Sequence, residues 1–156
     1  MPSEVNTPSD RAGDLRLYLR DQELDRGASL ILSGERVLTA AAEAARQNAG
    51  LSRSQLQMLL SIRQHPGQDV STLRQRLNLT VPTCARLLGE LDREDLIARQ
   101  RGGGDKRRRM LTLSPKGEAV LGPIMDQIRA ALRQAYRSAG PEAVEGARTL
   151  LEALAR

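Results

Sequence analysis

Residues 69–113 read DVSTLRQRLNLTVPTCARLLGELDREDLIARQRGGGDKRRRMLTL. Asp69 is a candidate N-cap, and Val70, Leu73 and Leu77 recur on one helical face behind it. Two residues, Asn78 and Leu79, separate this run from Thr80, a second N-cap candidate. Pro82 falls in the first turn of the next helix, where its missing N–H has no intrahelical acceptor to lose. Leu87, Leu88 and Leu91 continue that helix on its inner side. Two short helices joined by so tight a turn predict a helix-turn-helix. Leu96–Arg101 and Arg109–Leu113 then form two short apolar-bounded runs, with Gly102, Gly103, Gly104 and Asp105 between them, which is a hairpin signal. Lys106, Arg107, Arg108 and Arg109 lie on its loop and second strand. A helix-turn-helix followed by a basic hairpin is a winged helix, expected to bind DNA.

The flanks read as helices. Residues 1–10 are polar with two prolines and are expected to form a disordered arm. Arg11–Glu23 reads as a short helix, Gly27 as a break, and residues 28–47 as a second run with Ile31, Leu38, Ala41, Ala42 and Ala45 at helical spacing. Gly50 ends it. Ser52 and Gln55 form a capping box, with Leu51 and Leu56 at the staple positions, and Met58, Leu59, Leu60 and Ile62 are core candidates before His65-Pro66-Gly67 stops the helix. Past the hairpin, Ser114 caps and Pro115 opens a long helix with an apolar stripe from Val120 to Ala135, bent near Gly122-Pro123. Val144, Ala147, Leu150, Leu151 and Leu154 mark a last amphipathic helix after Gly140-Pro141. The terminal apolar faces exceed what one small winged helix needs to cover itself, so an isologous homodimer is expected.

The expected class is therefore mainly α with a small β-hairpin wing: a winged helix-turn-helix at 51–113, between dimerisation helices at 11–50 and 114–156. The 156 residues carry a formal charge of +5 and a pI of about 10.3. Six Lys or Arg and one Asp fall between Arg99 and Arg109, which favours an acidic partner. One Cys and one His leave no disulfide framework and no protein-only zinc site. No apolar run is long enough to span a membrane, the first residues are no signal peptide, and a cytoplasmic protein is expected. The chain offers no nucleophile–histidine–carboxylate set, and GGGDK is no P-loop, lacking a buried strand before it and a helix after it. Neither catalysis nor a cofactor is expected.

At these residues the chain resembles the MarR family of winged-helix transcription regulators. Thr80, Thr83, Cys84, Arg86, Leu87 and Leu91 match that family's recognition helix, Asp105 with Arg107 its D-x-R wing, and Leu113-Ser114-Pro115-Lys116-Gly117 its L-T-x-x-G close. Upstream, Gly50-Leu51-Ser52 with Gln55 and Leu59 matches its G-L-T-x-x-Q-x-x-x-L. The resemblance covers about residues 24 to 121 in order and spacing. The chain departs from the family at Asp95, where Gly is usual, at Cys84, where Val is frequent, and in a longer, Gly-rich wing tip. The resemblance implies a homodimer on a pseudo-palindromic double-stranded operator, commonly a repressor relieved by a small-molecule effector in a cleft between dimer helices and winged helix. With no Phe or Trp, and only Tyr18 and Tyr136, such a cleft is expected to be aliphatic.

Thr80, Val81 and Thr83 open the recognition helix, where Thr can hydrogen-bond a base or phosphate and Val81 can meet a thymine methyl. Arg86, a turn further in, can reach a guanine edge or a phosphate. The plainer alternatives are that Thr80 only caps and Arg86 is only solvated. Asp105 and Arg107, two apart, can brace each other across the loop, and the resemblance puts Arg107 in the minor groove. Lys106, Arg108 and Arg109 suit phosphates, with alternation turning at least one toward the protein, and Arg101 is a further DNA-contact candidate. The plainer alternative is a solvated charge run. Ser71 and Ser54, near helix starts, either bind phosphate or merely fill a first turn. Cys84 reads either as a redox sensor, making the protein thiol-responsive, or as a small buried residue. A constitutive or architectural DNA binder without an effector, and a winged helix serving protein–protein contacts through its apolar terminal helices, are the remaining alternatives.

Overall fold

The computed structural model describes residues 16–101 and 109–155. The chain divides into two compact units, Met1–Thr39 and Ala40–Arg156. Helix α1 (Asp21–Asn48) spans the division. In the first unit, residues 16–18 are helical and residues 19–20 form a turn before α1. No break occurs at Gly27. A mid-helix glycine costs about 1 kcal/mol against alanine, too little to interrupt 28 residues that contain no proline. The expected helix from Arg11 to Glu23 is likewise corrected: its described part ends before Leu19, and Asp21 and Glu23 supply the acidic first turn of α1.

The second unit continues with α2 (Arg53–Gln64), β1 (Gln68–Asp69), α3 (Val70–Arg76), α4 (Val81–Arg93), β2 (Ile97–Arg101), β3 (Arg109–Leu113), α5 (Pro115–Ala139) and α6 (Pro141–Leu154). Each expected cap is in place. Ser52 Oγ accepts from Gln55 N while Ser52 N donates to Gln55 Oε1, which closes the capping box. Asp69 caps α3, Thr80 caps α4 and Ser114 caps α5. α5 continues through Pro123 to Gly140.

Three helices end alike. After α1, α3 and α4, one residue turns left-handed: Gly50 at φ 68°, Asn78 at 49° and Asp95 at 57°. The next amide reaches back to close a six-residue ring, as Leu51 N to Arg46 O, Leu79 N to Arg74 O and Leu96 N to Leu91 O, at 2.9–3.2 Å. These are Schellman terminations. In two of them the following leucine, Leu51 or Leu96, is buried in the core, so the stop signal also aims the chain inward.

Strands form an antiparallel sheet in the order β1-β3-β2, with Gln68 opposite Leu111 and Ile97 opposite Leu113. The two-residue β1 was not expected from sequence. Met58, Leu59, Ile62, Leu73, Leu87, Leu91, Leu96, Leu111, Leu121 and Ile124 are all buried, and they draw α2–α5 and the sheet around one core. Full burial of such a side chain stabilises the fold by about 1.5–3 kcal/mol.

Candidate nucleic-acid interface

Helix α4, the second helix of the helix-turn-helix, has two faces. Cys84, Leu87, Leu88 and Leu91 are buried, while Val81 is 67% exposed and Arg86 lies open to solvent. The tight turn before α4 is fixed by the Schellman ring at Asn78 and by Arg74 Nη1, which donates to Leu79 O at 3.3 Å. Thr80 Oγ1 lies 2.8 Å from Thr83 Oγ1 and accepts from Thr83 N at 3.4 Å. The cap therefore engages Thr80, and Thr83 is half-buried beside it. Ser71, second residue of α3, is exposed.

Arg86 is not free in solution. Its Nη1 donates to Glu90 Oε1 at 2.5 Å, and Glu90 Oε2 accepts from Gln55 Nε2 at 3.0 Å. The sequence singles out Gln55 only as a capping-box residue and not as a partner of Glu90; for Glu90, the i,i+4 separation from Arg86 was the available signal. Arg99, within the basic segment, is tied to Asp92 at 3.3 Å and so faces the protein. Arg101 ends β2, its Cα opposite that of Arg109. Asp105, Lys106, Arg107 and Arg108 lie outside the described residues.

The far end of α4 is joined to α5. Ser114 Oγ donates to Asp95 O at 2.5 Å and accepts from Gly117 N at 2.9 Å, Ser114 N donates to Leu96 O at 3.1 Å, and Lys116 Nζ donates to Glu94 O at 2.7 Å. A Cβ at Gly117 would stand 2.0 Å from Leu96 O, so only glycine fits. These contacts tie the start of α5 to the residues that follow α4.

A MarR-family sequence model matches residues 49–108, and the HTH-type transcriptional regulator PetP of Rhodobacter capsulatus is 32% identical over 142 residues, 91% of this chain and 86% of its own. The chain belongs to the MarR family. It is a DNA-binding transcriptional regulator with the winged-helix fold of that family. NadR in complex with 4-hydroxyphenylacetate superposes with a TM-score of 0.72 at 18% identity, over 100% of this chain and 99% of its own. A MepR mutant from a multidrug-resistant S. aureus clinical isolate gives 0.73 at 19% identity, over 81% and 93%. A second MepR mutant, bound to an oligodeoxyribonucleotide, gives 0.58 at 19% identity, over 81% and 94%.

Two features bear on how a MarR-family member is controlled. Cys84 is 1% exposed, and burial pushes its thiol up, opposed in part by the charge of Arg74. Such a thiol is protonated and shielded, which weighs against redox sensing. A cleft of about 780 Å³ lies between the end of α1 and the start of α5, with Ala41, Ala45, Ala49, Val120 and Pro123 as its apolar lining and Asn48, Asp126 and Gln127 as polar groups. No aromatic residue lines it. Among the described residues, no acidic, Cys or His cluster is placed to hold a metal ion, and no helix is long and apolar enough to cross a membrane.

Proposed function

We propose that the protein is a homodimeric, sequence-specific, cytoplasmic repressor, without catalytic activity, whose operator binding is relieved by a small-molecule effector. The observation that carries the reading is α4: its leucines are buried while Val81 and Arg86 are presented outward. Val81 suits a thymine methyl, and Arg86 suits guanine or phosphate. Thr80, Thr83 and Ser71 would add contacts to base or backbone, and the wing residues Arg101, Asp105, Lys106, Arg107 and Arg108 would follow the adjacent groove.

Dimerisation is supported by apolar surface left open. Leu17, Tyr18, Leu19, Leu24, Leu30, Ile31, Leu32 and Val37 in the first unit are exposed, as are Tyr136, Leu150, Leu151 and Leu154 in the second. We assign residues 11–50 and 114–156 to the dimer interface. Two recognition helices related by a two-fold axis would enter major grooves about 34–36 Å apart. The alanine-lined cleft is the effector site of this reading; its chemistry favours a small aliphatic ligand with a polar end. NadR, which shares this fold, is seen in complex with 4-hydroxyphenylacetate, which lends support to a small-molecule effector, though that ligand carries an aromatic ring.

The test is duplex binding across a salt series, with the neighbouring promoter and random DNA as probes and Arg86→Ala and Arg107→Ala as variants. Promoter affinity should fall about fivefold or more with Arg86→Ala, as loss of one good base contact costs about 1–3 kcal/mol. Equal affinity for promoter and random duplex, indifferent to both arginines, would reject the reading.

A further inference from the structure

We propose that Glu90 sets the sequence specificity of this protein by holding Arg86, without itself touching DNA. The inference rests on α4 being the DNA-reading helix. The chain of contacts is continuous: Arg86 Nη1 to Glu90 Oε1 at 2.5 Å, Gln55 Nε2 to Glu90 Oε2 at 3.0 Å, and Gln55 locked to Ser52 by the two capping-box bonds at 2.7 and 3.1 Å. Gln55 is 8% exposed, so the chain is anchored in the protein at its α2 end. Helix stability does not account for the pair. A carboxylate placed C-terminal to its cation at i,i+4 is the weaker orientation, and exposed ion pairs contribute little.

Function does account for it. A carboxylate beside the reading face repels phosphates, so it penalises every non-specific encounter. A restrained guanidinium is also prevented from turning to whichever phosphate is nearest. Its remaining N–H donors keep one direction, and a pre-oriented fork is what two-point recognition of a guanine edge requires. Glu90 is thus a positioning residue: it trades overall affinity for discrimination.

The experiment compares two probes, the duplex that the wild-type protein enriches from a random pool and a scrambled duplex of the same composition. Glu90→Asp keeps the charge but withdraws the carboxylate by one methylene. It should lower the ratio of specific to scrambled affinity about tenfold per half-site. In an Arg86→Ala background it should change nothing further. Glu90→Gln, which is isosteric, serves equally if the shorter variant melts early. It should tighten scrambled binding and steepen its salt dependence by about one phosphate contact while the specific duplex gains less. An unchanged ratio in a folded Glu90 variant, with Arg86→Ala still lowering it, overturns the role of Glu90 alone. A wild-type protein that enriches no sequence, or a ratio indifferent to Arg86→Ala, overturns the DNA-reading assignment and this inference with it.

Discussion

Asp95 holds a backbone conformation, φ 57°, that glycine adopts without steric penalty and an L-residue adopts at a cost of about 1 kcal/mol. Its carboxylate also stands just past the C-terminus of α4, where the helix dipole disfavours negative charge. Asp95→Gly should therefore raise stability by about 0.5–1 kcal/mol after the entropy of glycine is deducted. The midpoint of urea unfolding measures it, and Ser114 keeps its partner because that partner is the Asp95 carbonyl. Glu43 gives a pH-dependent case. Its hydrogen bonds from Arg46, chiefly, and from Gln47 hold its carboxyl down to about 2 from an ordinary 4.5. A depressed carboxylate stabilises the fold above its unfolded value, and that contribution is lost as pH falls from 4.5 toward 2. The stability gap between wild type and Glu43→Gln should thus be fully open above pH 4.5 and close near pH 2 in acid titrations of unfolding. At this scale the sequence was legible where a residue type has one local job. Ser52, Asp69, Thr80 and Ser114 were readable as caps because hydroxyl or carboxylate beside an apolar-periodic run has that use. The partners of Arg86 were not readable beyond i,i+4 spacing, because Gln55 reaches Glu90 across 35 residues of chain.

Between elements, the decisive contact is the approach of α5 to the start of β2. Gly117→Ala would drive a Cβ into the Leu96 carbonyl, a fixed backbone atom, so α5 or the strand must move. A loss of about 3 kcal/mol is expected, visible as an earlier denaturation midpoint with the same slope. DNA affinity should drop as well if the displaced α5 retilts α4. Helices α2 to α6 could be read from period and punctuation together: apolar spacing marks each, side-chain N-caps open α2 to α5, and Gly or Pro bounds α2, α5 and the start of α6. Gly27 shows where punctuation misleads: a lone glycine is a weak breaker when residues on both sides favour helix. The β1 strand shows a different limit. Two residues cannot display a period of two, and Gln68 and Asp69 pair with β3 only because the turn at Gly67, whose amide donates to Leu111 O at 2.8 Å, carries them there.

For the whole molecule, the open apolar face of α6 predicts that oligomeric state and DNA binding fall together. Leu151→Glu combined with Leu154→Glu should convert a dimer to a monomer in sedimentation and weaken operator binding, because each protomer then holds a single half-site. Retention of the dimer would place the interface elsewhere. The stapled corner, where Ser114 and Lys116 grip the carbonyls of residues 94–96 just past α4 and Gly117 packs against the Leu96 carbonyl, has a consequence of its own. Thirteen residues of α4 extend from that corner as a rod of about 20 Å. A swing of about 10° transmitted by α5 would sweep the rod's reading end through roughly 3 Å, close to one base-pair step of 3.4 Å. Were α5 to turn in this way, the corner would act as a gear, carrying the reading end out of phase with the double helix by about one letter.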